Sequence, residues 1–144
     1  MIRTIKVMLC PNKKQKTKLF ECAGTARFAY NWALSYQQMN YDIGNDFISD
    51  CDLRKILTYL KTNNDNFEWL NHYSNNITKQ AVKDACKAYK NFFSGIAKYP
   101  KFKSKRKSKP SFYADVSKIK FTATHVILEK LTESKKKISK SLML

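Results

Sequence analysis

Between Asn76 and Ile96 two kinds of side chain recur at helical spacing on opposite faces. Ile77, Ala81, Ala85, Ala88 and Phe92 share one side, and Lys79, Lys83, Lys87 and Lys90 share the other. The apolar side must bury against another element, and its alanines let that element come close. The ammonium side must stay in water or meet an anion. A lysine ladder of this kind is most often a solvated face. Here the charge continues beyond the helix into YPKFKSKRKSKPSF (99–112), where Lys101, Lys103, Lys105, Arg106, Lys107 and Lys109 follow without an acid between them.

The partner for the apolar side is a second helical pattern, predicted from about Lys14 to Met39. Leu19, Ala23, Ala26, Tyr30 and Ala33 recur at three- and four-residue steps, with Phe28 and Trp32 widening the stripe. Gly24 weakens a helix by about 1 kcal/mol relative to Ala, and beside Ala23 and Ala26 it suggests a close helix contact. A turn-rich stretch, NYDIGND, leads to a third helix whose N-cap is Ser49 or Asp50; Asp50 is read as a cap rather than as half of an acid pair with Asp52. Its apolar face is Leu53, Ile56, Leu57 and Leu60. FEWL (67–70) reads as a short segment whose aromatics enter the core. Alternation predicts strands at 2–9, with Ile5, Val7 and Leu9 inward, and at about 117–131, with Ile119, Phe121 and Ala123 on one side and a turn near Thr124. ESKKKISKSLML carries no turn or cap signal.

The net charge of +17 is uneven: +6 over residues 1–40, −3 over 41–70 and +14 over 71–144. Charge of this size opposes compaction, and a polyanionic partner relieves it. Nucleic acid fits, because each neutralised phosphate also releases counterions. An anionic membrane fits less well, for want of a basic helix with an exposed bulky apolar face. With no stretch of about 18 apolar residues and no signal-like start, the expected place is the cytoplasm. Cys10, Cys22, Cys51 and Cys86 are far apart, which argues for free thiols in a reducing compartment. His72 and His125 have no ligand at useful spacing, so no metal site and no cofactor is expected. Three glycines leave no material for a phosphate loop, and eleven scattered acids give no two-metal cluster, so no catalytic residue is assigned. Lysine meets phosphate as a point charge, which favours holding a backbone over reading bases. Tyr99, Phe102, Phe112 and Tyr113 are candidates to stack on unpaired bases, although Phe102 and Phe112 are better read as inward anchors of the basic loop.

Three motifs together resemble one family. Leu9, Pro11, Gln15 and Leu19 are similar to an L-x-P-x-x-x-Q-x-x-x-L opening. Arg27, Tyr30, Asn31 and Leu34 match R-x-x-Y-N-x-x-L, and QAVKDACKAYKNFF followed by YPKFKSKRKSKPSF resembles a Q-A-L-x-D … K-N-F-F … P-x-F-K-S-K block. The family is the TnpB (OrfB) proteins of bacterial insertion sequences, relatives of the type V CRISPR effectors. The resemblance implies an α+β, predominantly helical fold. A helical recognition lobe, often labelled helix-turn-helix, is inserted between strands of a small, incomplete wedge β-barrel. The implied division is a first barrel strand at 1–13, the lobe at 14–98, a basic linker at 99–116, and returning strands with a basic tail at 117–144. Full-length relatives are RNA-guided DNA endonucleases. This sequence is expected to stop before their RuvC-like nuclease domain and zinc ribbon, and so not to be an enzyme. It reads LEKLTE (128–133) where relatives have L-P-K-L-G, and Lys79 stands where Gln is common. Positions near the target-adjacent DNA in relatives fall at Phe47, Lys79 and Gln80.

The expected activity is binding of DNA or of a guide-like RNA, with no inference about oligomeric state. The expected contacts are Arg27, Tyr30, Asn31, Lys79, Gln80, Lys83, Lys87, Lys90 and the cations of 101–109. The rival expectations are a decayed, non-functional remnant of a transposase gene, a residual metal-dependent nuclease or transposase activity, and a regulator competing with full-length relatives.

Overall fold

The computed structural model describes residues 2–131 and the backbone of 138–142. A short strand, β1 (Val7–Cys10), leads into a long helix, α1 (Lys13–Asp42). Asn12 caps α1 in a capping box: the Gln15 N–H donates to Asn12 Oδ1 at 2.9 Å, and the Asn12 N–H donates to Gln15 Oε1 at 3.0 Å. This is the physical content of the Pro11–Gln15 motif, and it explains why Gln15 is buried.

α2 (Asp50–Asn63) and α3 (Asn75–Phe93) follow, with one 3₁₀ turn, Glu68–His72, between them. Ser49 caps α2 by accepting from the Asp52 N–H at 3.2 Å. Asp50 lies inside the first turn and pairs with Arg54 at 3.3 Å, so its role is to meet the helix dipole and a cation, not to cap. In the 3₁₀ turn Leu70 is fully buried, and Phe67 and Trp69 pack edge-on against Phe28 at 6.0 and 5.1 Å between centroids.

The core is the seam of α1 against α3. Ala29, Ala33, Ala81 and Ala85 are almost wholly buried, joined by Leu34, Leu53, Leu57, Leu70, Val82 and Cys86. Small side chains on both helices let the two backbones approach closely. Gly24 takes no part in that approach. A Cβ built there meets only the end of the Arg27 side chain, at 3.7 Å.

The strands form one antiparallel sheet in the order β1-β4-β3-β2, with β2 (Lys120–Phe121), β3 (His125–Ile127) and β4 (Ile138–Leu142). β1 pairs with β4 from Val7↔Leu142 to Cys10↔Ser139, which joins the two ends of the described chain across the helices. The ladder begins at Val7. Val7 and Leu9 are half-buried as expected, while Ile5 is 76% exposed because no described strand pairs with 2–6. Phe121, on β2, is exposed. β4 lies in the tail that carries no turn or cap signal, and residues 132–137 and 143–144 lie outside the described residues.

Below the sheet Leu131 is buried with Cys22 and Ile77, flanked by Leu9, Leu19, Phe112 and Leu128. The tight turn that delivers Leu131 puts Lys130 at φ 54, in the left-handed region that favours glycine. Cys22 and Cys86 are buried free thiols and Cys10 and Cys51 exposed ones. Desolvation, with the charge of Glu21 beside it, pushes the Cys22 thiol up to about 11. At neutral pH iodoacetamide should therefore label Cys10 and Cys51 in the native chain well before Cys22, as read by mass spectrometry. Gly24→Ala should stabilise the fold by up to about 1 kcal/mol, visible as a rise of a few degrees in the melting temperature.

Candidate nucleic-acid interface

α1 carries amide side chains that hold the connecting segments by their backbones. Gln37 donates to the Ile48 carbonyl at 2.7 Å and accepts from the Ile48 N–H at 3.1 Å, and Asn40 donates to the Asp46 carbonyl at 2.6 Å. Asn31 does the same for the basic loop. Its Nδ2 donates to the Lys103 carbonyl and its Oδ1 accepts from the Lys103 N–H, both at 2.8 Å. A two-point grip on one peptide fixes both position and orientation.

With its backbone held there, Lys103 lays its ammonium over the Tyr30 ring, 4.1 Å from the centroid. Tyr30 is itself buried in the helical core. Burial raises its hydroxyl pKa, with the charge of Asp84 adding to the effect. Phe102, the neighbour of Lys103, points the opposite way and is 65% exposed. It is not an inward anchor; the side chain of this segment that meets the helices is Lys103, over Tyr30. Phe112 does pack inward, beside Cys22, Ile77 and Leu131. Tyr99 is held edge-on by Tyr89 and Phe92, at 5.6 and 5.1 Å, and its hydroxyl meets Gln38 and Tyr89. Tyr113 is exposed.

The loop, α1 and α3 enclose an open cleft of about 320 Å³, lined by Arg27, Gln80, Asp84, Lys103, Lys109 and Phe112 among others. Gln80 donates to Asp84 at 2.9 Å, one turn along α3. Lys83 and Lys87 come next round the helix from these two residues, so the ladder begins at the cleft's rim. Lys79, Lys83, Lys87 and Lys90 are all exposed, as are Lys101, Lys103, Lys105, Arg106, Lys107 and Lys109. The ion pairs among the described residues are Lys18–Glu21, Arg54–Asp50 and Lys55–Asp52, and none of them uses a cation of the ladder or loop. Asp115 lies within electrostatic reach of Lys79, but its carboxyl is held below the usual range mainly by hydrogen bonds from Ser117.

Of the residues singled out in the sequence, Arg27, Gln80, Lys103 and Lys109 are thus brought to one cleft, with the ladder beside it. Tyr30 and Asn31 serve as the loop's seat and clasp. Lys61 escaped notice. It is buried although charged, on the same stripe of α2 as Leu53 and Leu57, and that i, i+4, i+8 spacing was the available signal. Among the described residues no group of His, Cys, Asp and Glu is placed to hold a metal ion, and no helix is long and apolar enough to cross a membrane.

The site is thus an open basic face beside a helical pair, with a loop clasped along it. Residues 1–45 match the helix-turn-helix domain of OrfB proteins of the IS605 type. The chain is 30% identical over 130 residues to InsQ of Escherichia coli (strain K12), which is named as an RNA-guided DNA endonuclease. The match takes in 90% of this chain and 32% of InsQ, so the chain spans about a third of that relative's length. The chain is thus similar to OrfB-type proteins of insertion sequences over its first 45 residues, and to about a third of InsQ over most of its length. The matched segment folds here as β1 and one uninterrupted helix. The next helix begins only at Asp50, after the turn at Gly44 (φ 85), a longer break than the usual helix-turn-helix connection.

Asn31→Ala should free the loop. Hydrogen exchange at the Lys103 amide should rise about tenfold, and trypsin should cut within 101–109 sooner, while exchange in α3 stays slow.

Proposed function

We propose that this chain is a nucleic-acid-binding module of the TnpB type that holds a DNA or RNA backbone without cutting it. The observation that carries this reading is the cationic block of ladder and loop, left without ion pairs among the described residues and joined at one cleft by the Asn31 clasp. A duplex or a folded guide-like RNA tracked along Lys79, Lys83, Lys87, Lys90 and the 101–109 cations would neutralise that block. Its counterions would be released in exchange. Residues 14–98 act as the recognition lobe, the basic segment 99–116 as linker, and the sheet joining β1 to the C-terminal strands as part of a wedge barrel. The exposed rings of Phe102 and Tyr113 sit where an unpaired base can stack. The predominance of lysine favours backbone contacts over base reading, so binding is expected to be weakly sequence-dependent.

Replacing Lys83 and Lys87 together by Ala should weaken binding about equally for unrelated sequences. The slope of log affinity against log salt should fall by about two charges' worth. An unchanged slope rejects the surface. Run side by side on duplex DNA and an RNA hairpin, the assay also ranks the two partners. Incubation of labelled DNA with the chain and Mg²⁺ should leave the DNA intact; metal-dependent cleavage would overturn the binding-only reading.

A further inference from the structure

Lys61 is only 7% exposed, yet among the described residues no carboxylate pairs with its ammonium. Its acceptors among the described residues are two neutral oxygens, Asn75 Oδ1 at 2.9 Å and Thr78 Oγ1 at 3.0 Å, and an ammonium carries three donors. Both acids near the start of α2 are engaged elsewhere: Asp50 with Arg54, and Asp52 with Lys55 at 3.4 Å. Burial, with the like charge of Lys130 adding to it, lowers the Lys61 pKa. A buried charge without a counter-charge is costly, and an incoming anion relieves that cost.

The space for an anion is present. Arg54, Lys55, Lys61, Asn75, Thr78 and Lys79 line an open cleft of about 480 Å³ between α2 and α3. Lys79 is also the first rung of the ladder, so the cleft lies on the far flank of the lysine strip from the loop. A backbone running along that strip reaches Lys61 without crossing an apolar surface.

We propose that the α2–α3 cleft seats one phosphate of the bound nucleic acid, with Lys61 as the inner donor and Arg54 and Lys79 at the rim. The inference rests on the binding function proposed above. It identifies one inner contact that the ladder and loop do not include.

The test compares Lys61→Met, which keeps length and removes charge, with the Lys83 and Lys87 double variant and the unaltered chain. Each is titrated across salt with whichever of duplex DNA or RNA hairpin the unaltered chain binds more tightly. Lys61→Met should lower the log–log slope by about 0.7–0.9, the worth of one phosphate contact. An unchanged slope for Lys61→Met, with the double variant still lowered, overturns the seat and leaves the ladder standing. An unchanged slope for both overturns the two together. Should Lys61→Met fail to fold by far-UV circular dichroism, inorganic phosphate is titrated into the unaltered chain while the Lys61 Nζ–H signal is followed by NMR. That signal should shift and saturate; a signal that stays put refutes the seat.

Discussion

The close seam between α1 and α3 governs the rest of the molecule. Ala29 and Ala33 on one helix and Ala81 and Ala85 on the other are buried in one shared core, where their small side chains permit a close approach. A contact this close fixes the rotation of α3 about its own axis. With Ile77, Ala81, Val82, Ala85 and Cys86 turned inward, Lys79, Lys83, Lys87 and Lys90 can only face out. The cationic face is therefore a consequence of packing. Repulsion along it is the cost of the arrangement, carried by a core that α2 and the 3₁₀ turn complete from the other side.

The second constraint is long in sequence and short in space. Asn31 and Lys103 lie 72 residues apart and meet through two hydrogen bonds of 2.8 Å. Without them the 101–109 segment would be the solvated basic run that its composition suggests. With them it becomes an edge of the cleft containing Arg27, Gln80 and Asp84. Asp84 is the acid lining that cleft, and Gln80 donates to it.

Helices α1, α2 and α3 were legible from periodicity because their apolar and polar faces differ at a single repeat. The Ser49 cap is legible from residue type, whereas the capping box of Asn12 and Gln15 is not singled out by it, since Asn12 reads simply as the end of β1 and Gln15 as part of a family motif. Alternation identified β1, β2 and β3 but misjudged Ile5, since period two tells which residues share a face and not whether another strand or a core covers it. β4 pairs with β1 and β3, and a strand defined by non-local pairing leaves little local trace in a lysine-rich tail. The role of Asn31 was hidden because its partner is a backbone, which has no sequence signature. Phe102 was misplaced for the same reason. Lys61 was readable from its stripe, but a lysine at the end of a helix reads most simply as a solvated charge.

The central claim is that one face, the ladder with the clasped loop, receives the nucleic acid. Another basic surface exists at the start of α1, where Lys13, Lys14, Lys16 and Lys18 are exposed within the segment that matches the helix-turn-helix domain. Acetylation of lysines with and without bound nucleic acid, read by mass spectrometry, separates the two directly. Protection of Lys79, Lys83, Lys87 and the lysines of 101–109 together, with Lys13, Lys14, Lys16 and Lys18 still reactive, is the predicted pattern. Protection at the start of α1 with the ladder and loop left reactive would contradict it.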